Sequence, residues 1–407
     1  MSVSPEVERQ LERIRAGSLD FVGEEELRPR LARALADGRP LRVKLGMDPS
    51  APDLHVGHTV TLEKLKVFQE LGHTPIFLVG DFTARIGDPT GKNKARPPLD
   101  EAQVKANADT YVEQVGRVLD VERAEIRFNG EWMDEMSPTD IVRLCSHYTV
   151  ARMLERDDFA RRYKGGVPIS VHEFLYPLVQ AYDSVALAAD VELGGSDQLF
   201  NLLVGREIQR AYGQPPQAVV THPLLVGTDG KEKMSKSVGN TIGITDAPEE
   251  IYGRTMSISD ALMTDWVRAL SFGRWDDLAA AAAAVEAGSG DPLALKQALA
   301  RRLVARFHGE AAAAPAEAHF RRVVQQRQTP EEVPDVEVAL AGAADAGLLD
   351  VMREALGLAS NGEARRLVSG GGVRLDDVRI EDPKTRLGPG VYLLRAGKRR
   401  FVRVHVA

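Results

Sequence analysis

The sequence predicts an α/β protein: a mostly parallel sheet with helices on both faces, followed by an all-helical region and a small α+β module. Three observations carry that expectation. Over the first half, short apolar runs alternate with amphipathic stretches, the rhythm of βαβ units. From about Ala247 the strand-like runs give way to alanine-rich sequence at helical spacing. Beyond a linker rich in Pro and Glu, paired runs of Val, Leu and Arg close the chain as hairpins.

The N-terminal stretch MSVSPEVERQLERI sets charges among apolar residues at helical spacing and lacks the uninterrupted apolar segment of a signal peptide. LRVKLGM reads as a strand, HTVTLEKLKVFQEL as a helix stopped by Gly72, and TPIFLVG as a buried strand. A helix around AQVKANADTYVEQVGRVL and a strand in AEIRF come next, then helices in IVRLCSHYTVARMLE and VHEFLYPLVQAYDSVAL. DVELGG and AVVTHPLLVG read as the last strands of this half. LAAAAAAVEA and PLALKQALARRLVARF are low in complexity but helical, because alanine is the best helix former and charged turns flank the run. TPEEVPDVEV reads as the linker. SNGEARRLV then places Ser360 and Glu363 at capping-box spacing, and GGGVRLDDVRI and VYLLRAGKRRFVRVHV read as hairpins. The expected boundaries are 1–246 for the parallel-sheet domain including the lysine loop, 247–330 for the helical domain, and 331–407 for the linker and terminal module.

Composition excludes several classes. At 407 residues the chain exceeds what one core supports. The formal charge of -7 argues against wholesale coating of nucleic acid. From Asn361 onward, however, eleven Lys and Arg face five Asp and Glu, the footprint of a polyanion-binding surface. The single Cys145 excludes an intramolecular disulfide and a thiolate zinc cluster and fits a reducing compartment. In IVRLCSHYTV it reads as a small buried hydrophobe rather than a nucleophile. No run of eighteen apolar residues occurs, so the expectation is a cytoplasmic protein with no membrane partner.

Two short stretches carry the chemistry. KEKMSKSVGN, Lys231 to Asn240, is a mobile cationic loop with three lysines and two serines. DPSAPDLHVGH leads from the first strand's turn into a helix whose free N–H groups and dipole favour an anion. His55 and His58 flank Gly57, which has no side chain to block a flat ring from lying against the backbone. Both imidazoles can donate to phosphate oxygens while the lysine loop closes from the other side, so the pair reads as a grip on a polyphosphate. Each half alone has a plainer reading, as surface histidines or a solvated loop. Their joint occurrence, one after the first strand and one after the last, makes coincidence improbable.

Tyr176, Gln180 and Asp183 recur at i, i+4 and i+7 and share one face of an otherwise apolar helix, either a buried interhelical network or the wall of a pocket. GGSDQ after DVEL suits close approach of a ribose, or is an ordinary Gly-Gly turn with a cap. GDPTGK is one residue short of a Walker loop, which excludes that reading.

HVGH at 55–58 and KMSKS at 233–237 resemble the two signatures of the class I aminoacyl-tRNA synthetases. Within that class GDPTGK, LYPLVQAYDS and GGSDQ are similar to the tyrosyl-tRNA synthetase family, and the terminal module is similar to an RNA-binding domain named after a small-subunit ribosomal protein. The resemblance spans essentially the whole chain. It implies a Rossmann-like catalytic domain, an anticodon-side helical domain and an RNA-binding domain. It also implies activation of L-tyrosine by ATP and transfer to tRNA(Tyr), with ATP and Mg²⁺ as a substrate complex, no tightly bound cofactor, no protein metal site, and a homodimer. By the same resemblance His55, His58, Lys233 and Lys236 are catalytic. Asp48, Ser50, Gly57, Lys92, Gly195, Asp197 and Ser237 hold ATP, with Gly195 and Asp197 on the ribose. Asp88, Tyr176 and Gln180 hold the ammonium of tyrosine, Asp183 its phenol and Gln198 its carboxylate side, and Arg365 and Arg366 meet tRNA. One position departs from the family: many members have a tyrosine where this chain has Lys44, which either projects into the pocket or points to solvent. Two competing readings are a tryptophan-specific relative, or another nucleotidyl transferase with the same two signatures, and a non-catalytic RNA-binding protein built from the same parts.

Overall fold

The structure is a computed structural model and describes residues 4–49, 51–88, 101–271, 274–325, 333–340, 344–397 and 400–407. These form two compact units, 1–247 with 254–300, and 248–253 with 301–407.

The first unit is built on a six-stranded sheet. Its strands are β1 (Asp20–Val22), β2 (Arg42–Met47), β3 (Thr74–Val79), β4 (Glu125–Phe128), β5 (Val191–Gly195) and β6 (Ala218–His222), in the order β1-β6-β5-β2-β3-β4. β2 to β6 run parallel, and β1 adds antiparallel to the β6 edge. β3, β5 and β6 are buried along nearly their whole length, as strands covered on both faces must be. The chain leaves β2 for β3 on one side and returns to β5 on the other. The crevice outside the carboxyl ends of β2 and β5 is therefore the topological switch point, where open α/β sheets bind ligands.

The parallel α/β expectation holds, with local differences. β1 was not expected: three residues at an antiparallel edge leave too short a pattern to read. The single helix expected over IVRLCSHYTVARMLE is two, Pro138–Ser146 and Val150–Met153. The break falls where the Thr149 hydroxyl accepts from the Arg152 N–H and starts a new helix. The helix Val56–Glu70 stops as expected, with Gly72 at φ +86°.

The second unit carries β7 (Asp335–Val338), β8 (Ala346–Gly347), β9 (Val373–Leu375), β10 (Val378–Arg379), β11 (Arg386–Leu387), β12 (Gly390–Ala396) and β13 (Arg400–Val406). Five of them form a sheet in the order β10-β9-β12-β13-β7. Both expected hairpins are present, and Asp376 and Asp377, each at positive φ, make the two-residue turn between β9 and β10. The end of the stretch read as linker is in fact β7, parallel to β13. Val338, Leu348, Val351, Val368, Leu394 and Val404 are among the apolar side chains of this unit's core.

Candidate active site

The switch-point crevice is assembled by backbone pairing between the two sequence stretches. Val56 N–H donates to Ile242 O (2.9 Å) and Ile244 N–H to Leu54 O (3.1 Å), so the chain just after the lysine loop lies alongside the histidine turn. His55 caps the helix in an extended conformation, and its backbone N–H donates to His58 Nδ1 at 3.2 Å. The two rings stack with centroids 3.7 Å apart. Burial, and then the Lys236 charge, lower the His55 pKa to about 4. At neutral pH His55 therefore offers an N–H and carries no positive charge. A Cβ on Gly57 would sit 3.0 Å from His55 Nδ1 and 3.4 Å from Met234 Cβ, so any other residue would press the His55 ring out of its present position.

Asn240, 3% exposed, ties the lysine loop together. Its side chain accepts from Ser235 N–H (2.8 Å) and donates to Asp229 (3.0 Å). Met234 N–H donates to Leu225 O (2.8 Å), and the Met234 sulfur accepts from Gly57 N–H (3.3 Å) at the helix start. Lys233 Nζ lies 2.8 Å from Asp197 and Lys236 Nζ 2.5 Å from Asp53. Both loop lysines thus rest on carboxylates at the cavity mouth.

The helix Val171–Ala186 supplies the opposite wall. Its start is fixed by Ser170 and Glu173 in a capping box, and Pro177 lies within it. The Tyr176 hydroxyl donates to Asp48 (2.8 Å), whose other oxygen accepts from Thr83 (2.6 Å). Burial and the nearby Asp48 and Asp88 charges hold the Tyr176 phenol well above its usual pKa. Gln198 donates to Asp88 (3.2 Å), and the Asn201 amide donates to both Gln180 (3.1 Å) and Gln198 (3.0 Å). Asp183, 2% exposed, accepts from Trp132 Nε1 (2.9 Å) and Asn129 (3.4 Å). Burial pushes its carboxyl up to about 7.

Lys44 points inward. It is fully buried, with Nζ 2.8 Å from Glu192, 2.7 Å from the Ser184 hydroxyl and 3.3 Å from the Gln180 carbonyl. It does not pair with Asp183.

One cavity of about 560 Å³ is lined by His55, Gly57, His58, Lys233, Lys236 and Ser237, by Asp48, Gly195 and Asp197, and by Asp88, Tyr176, Gln180, Asp183 and Gln198. Ser50 and Lys92 lie outside the described residues. Arg365 and Arg366 belong to the second unit, exposed on the helix Asn361–Ser369. Sequence reasoning missed Asn129, Trp132, Thr83 and Asn201, which orient the pocket residues, as well as Asp53 and Asn240, which hold the loop. Among the described residues, no group of three or more His, Cys, Asp or Glu could hold a metal ion.

Comparison with known proteins bears on the family and the fold. Residues 36–325 match the family model for tRNA synthetases class I (W and Y), and residues 347–391 match the S4 domain. The tyrosine–tRNA ligase of Bordetella pertussis is 53% identical over 402 residues, covering 99% of this chain and 97% of that protein. The tyrosine–tRNA ligase of Moorella thermoacetica is 50% identical over 402 residues, covering 98% and 96%. Among solved structures, the tyrosyl-tRNA synthetase of Archaeoglobus fulgidus complexed with L-tyrosine matches with a TM-score of 0.60 at 25% identity, over 76% of this chain and 99% of that one. The Aeropyrum pernix enzyme matches in fold with a TM-score of 0.60 at 22% identity, over 77% and 98%.

Proposed function

The chain belongs to the tRNA synthetases class I (W and Y), and from that premise we propose that it is a tyrosine–tRNA ligase using the switch-point cavity as its active site. The tyrosine carboxylate attacks the α-phosphate of ATP, a P–O bond forms as the bond to pyrophosphate breaks, and tyrosyl-adenylate results. A ribose hydroxyl of the terminal adenosine of tRNA(Tyr) then attacks the acyl carbon, and AMP leaves. Neither step needs a covalent enzyme intermediate, so catalysis rests on alignment and on fixed positive charge and N–H donors at the phosphates.

What supports the reading most directly is Asp183 at the closed end of a cavity whose mouth carries the two loop lysines. Asp183 accepts the substrate phenol, and phenylalanine would leave a buried carboxylate underpaired, at a cost of about 1–3 kcal/mol or more. Tyr176 gives its one proton to Asp48, so its oxygen presents lone pairs to the substrate ammonium beside Asp88 and Gln180. Gln198 lies on the carboxylate side. Gly195 and Asp197 take the ribose, and Asp48, Gly57 and Ser237 the rest of the nucleotide. His55 and His58 donate to phosphate oxygens. Lys233 and Lys236 exchange Asp197 and Asp53 for phosphate, with Mg²⁺ arriving on the nucleotide and no tightly bound cofactor.

Arg365 and Arg366 meet tRNA. The protein works in the cytoplasm as a homodimer. No helix among the described residues is long and apolar enough to cross a membrane, and the exposed Val142, Val150, Tyr163 and Val171 in the segment 138–171 suit a partner subunit. ATP–pyrophosphate exchange with a panel of amino acids tests the activity. Exchange with tyrosine, and not with phenylalanine or tryptophan, is expected. Exchange with tryptophan alone would reassign the substrate, and none with any amino acid would leave an RNA-binding protein.

A further inference from the structure

β2 and β5 are neighbours in the middle of a sheet covered on both faces, where apolar side chains are the norm. Each nevertheless carries a buried charge at the same level. Lys44 and Glu192 are register partners, at 0% and 2% exposure, joined at 2.8 Å. Apolar residues of similar volume would hold the sheet at least as well, since desolvation offsets much of a buried pair's attraction. Stability alone therefore does not account for the pair.

Its surroundings are the closed end of the cavity. The other two Lys44 donors go to the Ser184 hydroxyl and the Gln180 carbonyl, which bracket Asp183 on a single turn of its helix. The second Glu192 oxygen accepts from Ser184 (3.2 Å) and from the Gln217 amide. Gly205 lets the helix Leu199–Ala211 close on this cluster, because a Cβ there would lie 2.6 Å from Gln217 Nε2 and 3.3 Å from Glu192 Oε2. All three ammonium donors are thus occupied, and the substrate phenol receives none of them. Lys44 still acts on Asp183 through its charge. Burial raises the Asp183 carboxyl, the Lys44 charge is the largest influence opposing that rise, and Glu192 pushes weakly upward.

We propose that the buried Lys44–Glu192 pair is a positioning unit for substrate selection, a built-in counter-charge that keeps Asp183 ionised and in place without touching the ligand. The inference rests on Asp183 being the phenol acceptor. An ionised carboxylate accepts the phenol O–H as a charge-assisted bond, roughly twice as strong as a neutral one. Selection of tyrosine over phenylalanine then depends on a lysine in the innermost wall of the cavity whose hydrogen-bond donors are all directed away from the ligand.

The test is the pH dependence of tyrosine activation. The groups facing Asp183 are Lys44 from β2, Glu192 from β5, Asn129 and Trp132 from the segment after β4, and Tyr176 from its own helix, itself beside Asp48 and Asp88. KM for tyrosine, kcat and the tyrosine-to-phenylalanine ratio are measured in pyrophosphate exchange from pH 6 to 8.5. The proteins compared are the wild type, the double variant Lys44→Met/Glu192→Gln, and Glu192→Gln alone. In the double variant the acidic limb of kcat/KM moves up. A one-unit rise from about 7 cuts the ionised fraction at pH 7 from about half to about a tenth, so KM rises about fivefold there and recovers toward pH 8.5. The ratio over phenylalanine falls in parallel, and kcat stays within about twofold. In Glu192→Gln the limb moves down, because Lys44 loses its competing carboxylate. Opposite displacements support the proposal. Limbs that stay in place, or that shift the same way with kcat falling alongside, would overturn it. Should the double variant fail to fold, the direction in Glu192→Gln decides alone. A wild type that activates no tyrosine removes the functional reading itself, whereas an active wild type with unmoved limbs removes only this role of the pair.

Discussion

In the second unit, every described buried side chain between 301 and 407 is apolar, while the first unit buries Lys44, Lys64, Asp183, Glu192, His55, His73 and His222. The contrast separates two ways of using charge. An aliphatic core leaves arginines at the surface, where they cost little and can meet a polyanion. Buried polar groups are costly unless partnered, so their partners reveal what they are for. Lys64 donates to the carbonyls of Arg13, Ile14 and Ala16 and closes the C-terminal end of the helix Pro5–Arg15, a structural solution complete in itself. His73 likewise accepts from Leu41 N–H and meets Gln10. Asp183, Tyr176 and His55 instead face a cavity, and that orientation marks the site rather than burial alone.

The largest expected difference between the units is acid sensitivity. Burial lowers the pKa of His55 and His73 to about 4 and of His222 to about 3. Their folded pKa lies below the unfolded value near 6.5, so the stability they contribute is present above pH 6.5 and is lost as pH falls toward 3–4. Asp183, raised to about 7, works in the opposite sense, gaining stability as pH falls from 7. Three groups against one leave a net loss on the order of several kcal/mol by pH 4. Trp132, Trp266 and Trp275 all lie in the first unit, so tryptophan fluorescence reads its melting alone. Its midpoint should drop steeply between pH 6.5 and 4, while hydrogen exchange at the β12 and β13 amides changes little. Parallel losses in both units would break the contrast.

Next in size is the effect of removing a mouth charge. Lys236 is 30% exposed at its side chain and, among the described residues, is paired with Asp53 at the surface, so Lys236→Ala should leave the melting midpoint nearly unchanged. If Lys236 turns from Asp53 to the reacting phosphates, as proposed, loss of that charge should slow adenylate formation about 10²–10³-fold in kcat. Single-turnover pyrophosphate exchange measures it. A slowing that tracks a fall in stability would mean that the loop matters for folding instead.

The same contrast governs what could be read from sequence. Strand and helix periodicity gave β2 to β6 and both terminal hairpins, because apolar runs and turn residues are local signals. His55, His58, Lys233, Lys236, Tyr176, Gln180 and Asp183, which line the cavity, were legible from two short stretches and a helical stripe. Their supports were not: Trp132 and Asn129 reach Asp183 across more than fifty residues of sequence, and nothing local marks them. Asn240 lies inside the lysine loop itself, but an Asn after a Gly has the local pattern of an ordinary turn, and its bonds to Ser235 and Asp229 are set by the fold. A signal did exist for Lys44 and Glu192. Each is a charge set between two apolar neighbours inside a strand, Lys44 between Val43 and Leu45 and Glu192 between Val191 and Leu193, and such matched exceptions in neighbouring strands imply pairing.

The smallest expected effect tests the surface half of the contrast. Arg365 and Arg366 are exposed on the helix Asn361–Ser369, whose start is held by the Ser360 hydroxyl accepting from Glu363 N–H. Arg365→Gln and Arg366→Gln keep good helix formers at exposed positions, so stability should change by no more than about 0.5 kcal/mol. Adenylate formation, proposed for the cavity of the other unit, should not change at all. If each arginine neutralises one phosphate, tRNA affinity falls and the slope of log K against log salt shrinks by about one per substitution. Fluorescence titration of tRNA at several salt concentrations reads both quantities. Affinity lost with the slope unchanged would point to altered docking rather than to phosphate contact, and neither changing would leave the two arginines as a solvated helix face.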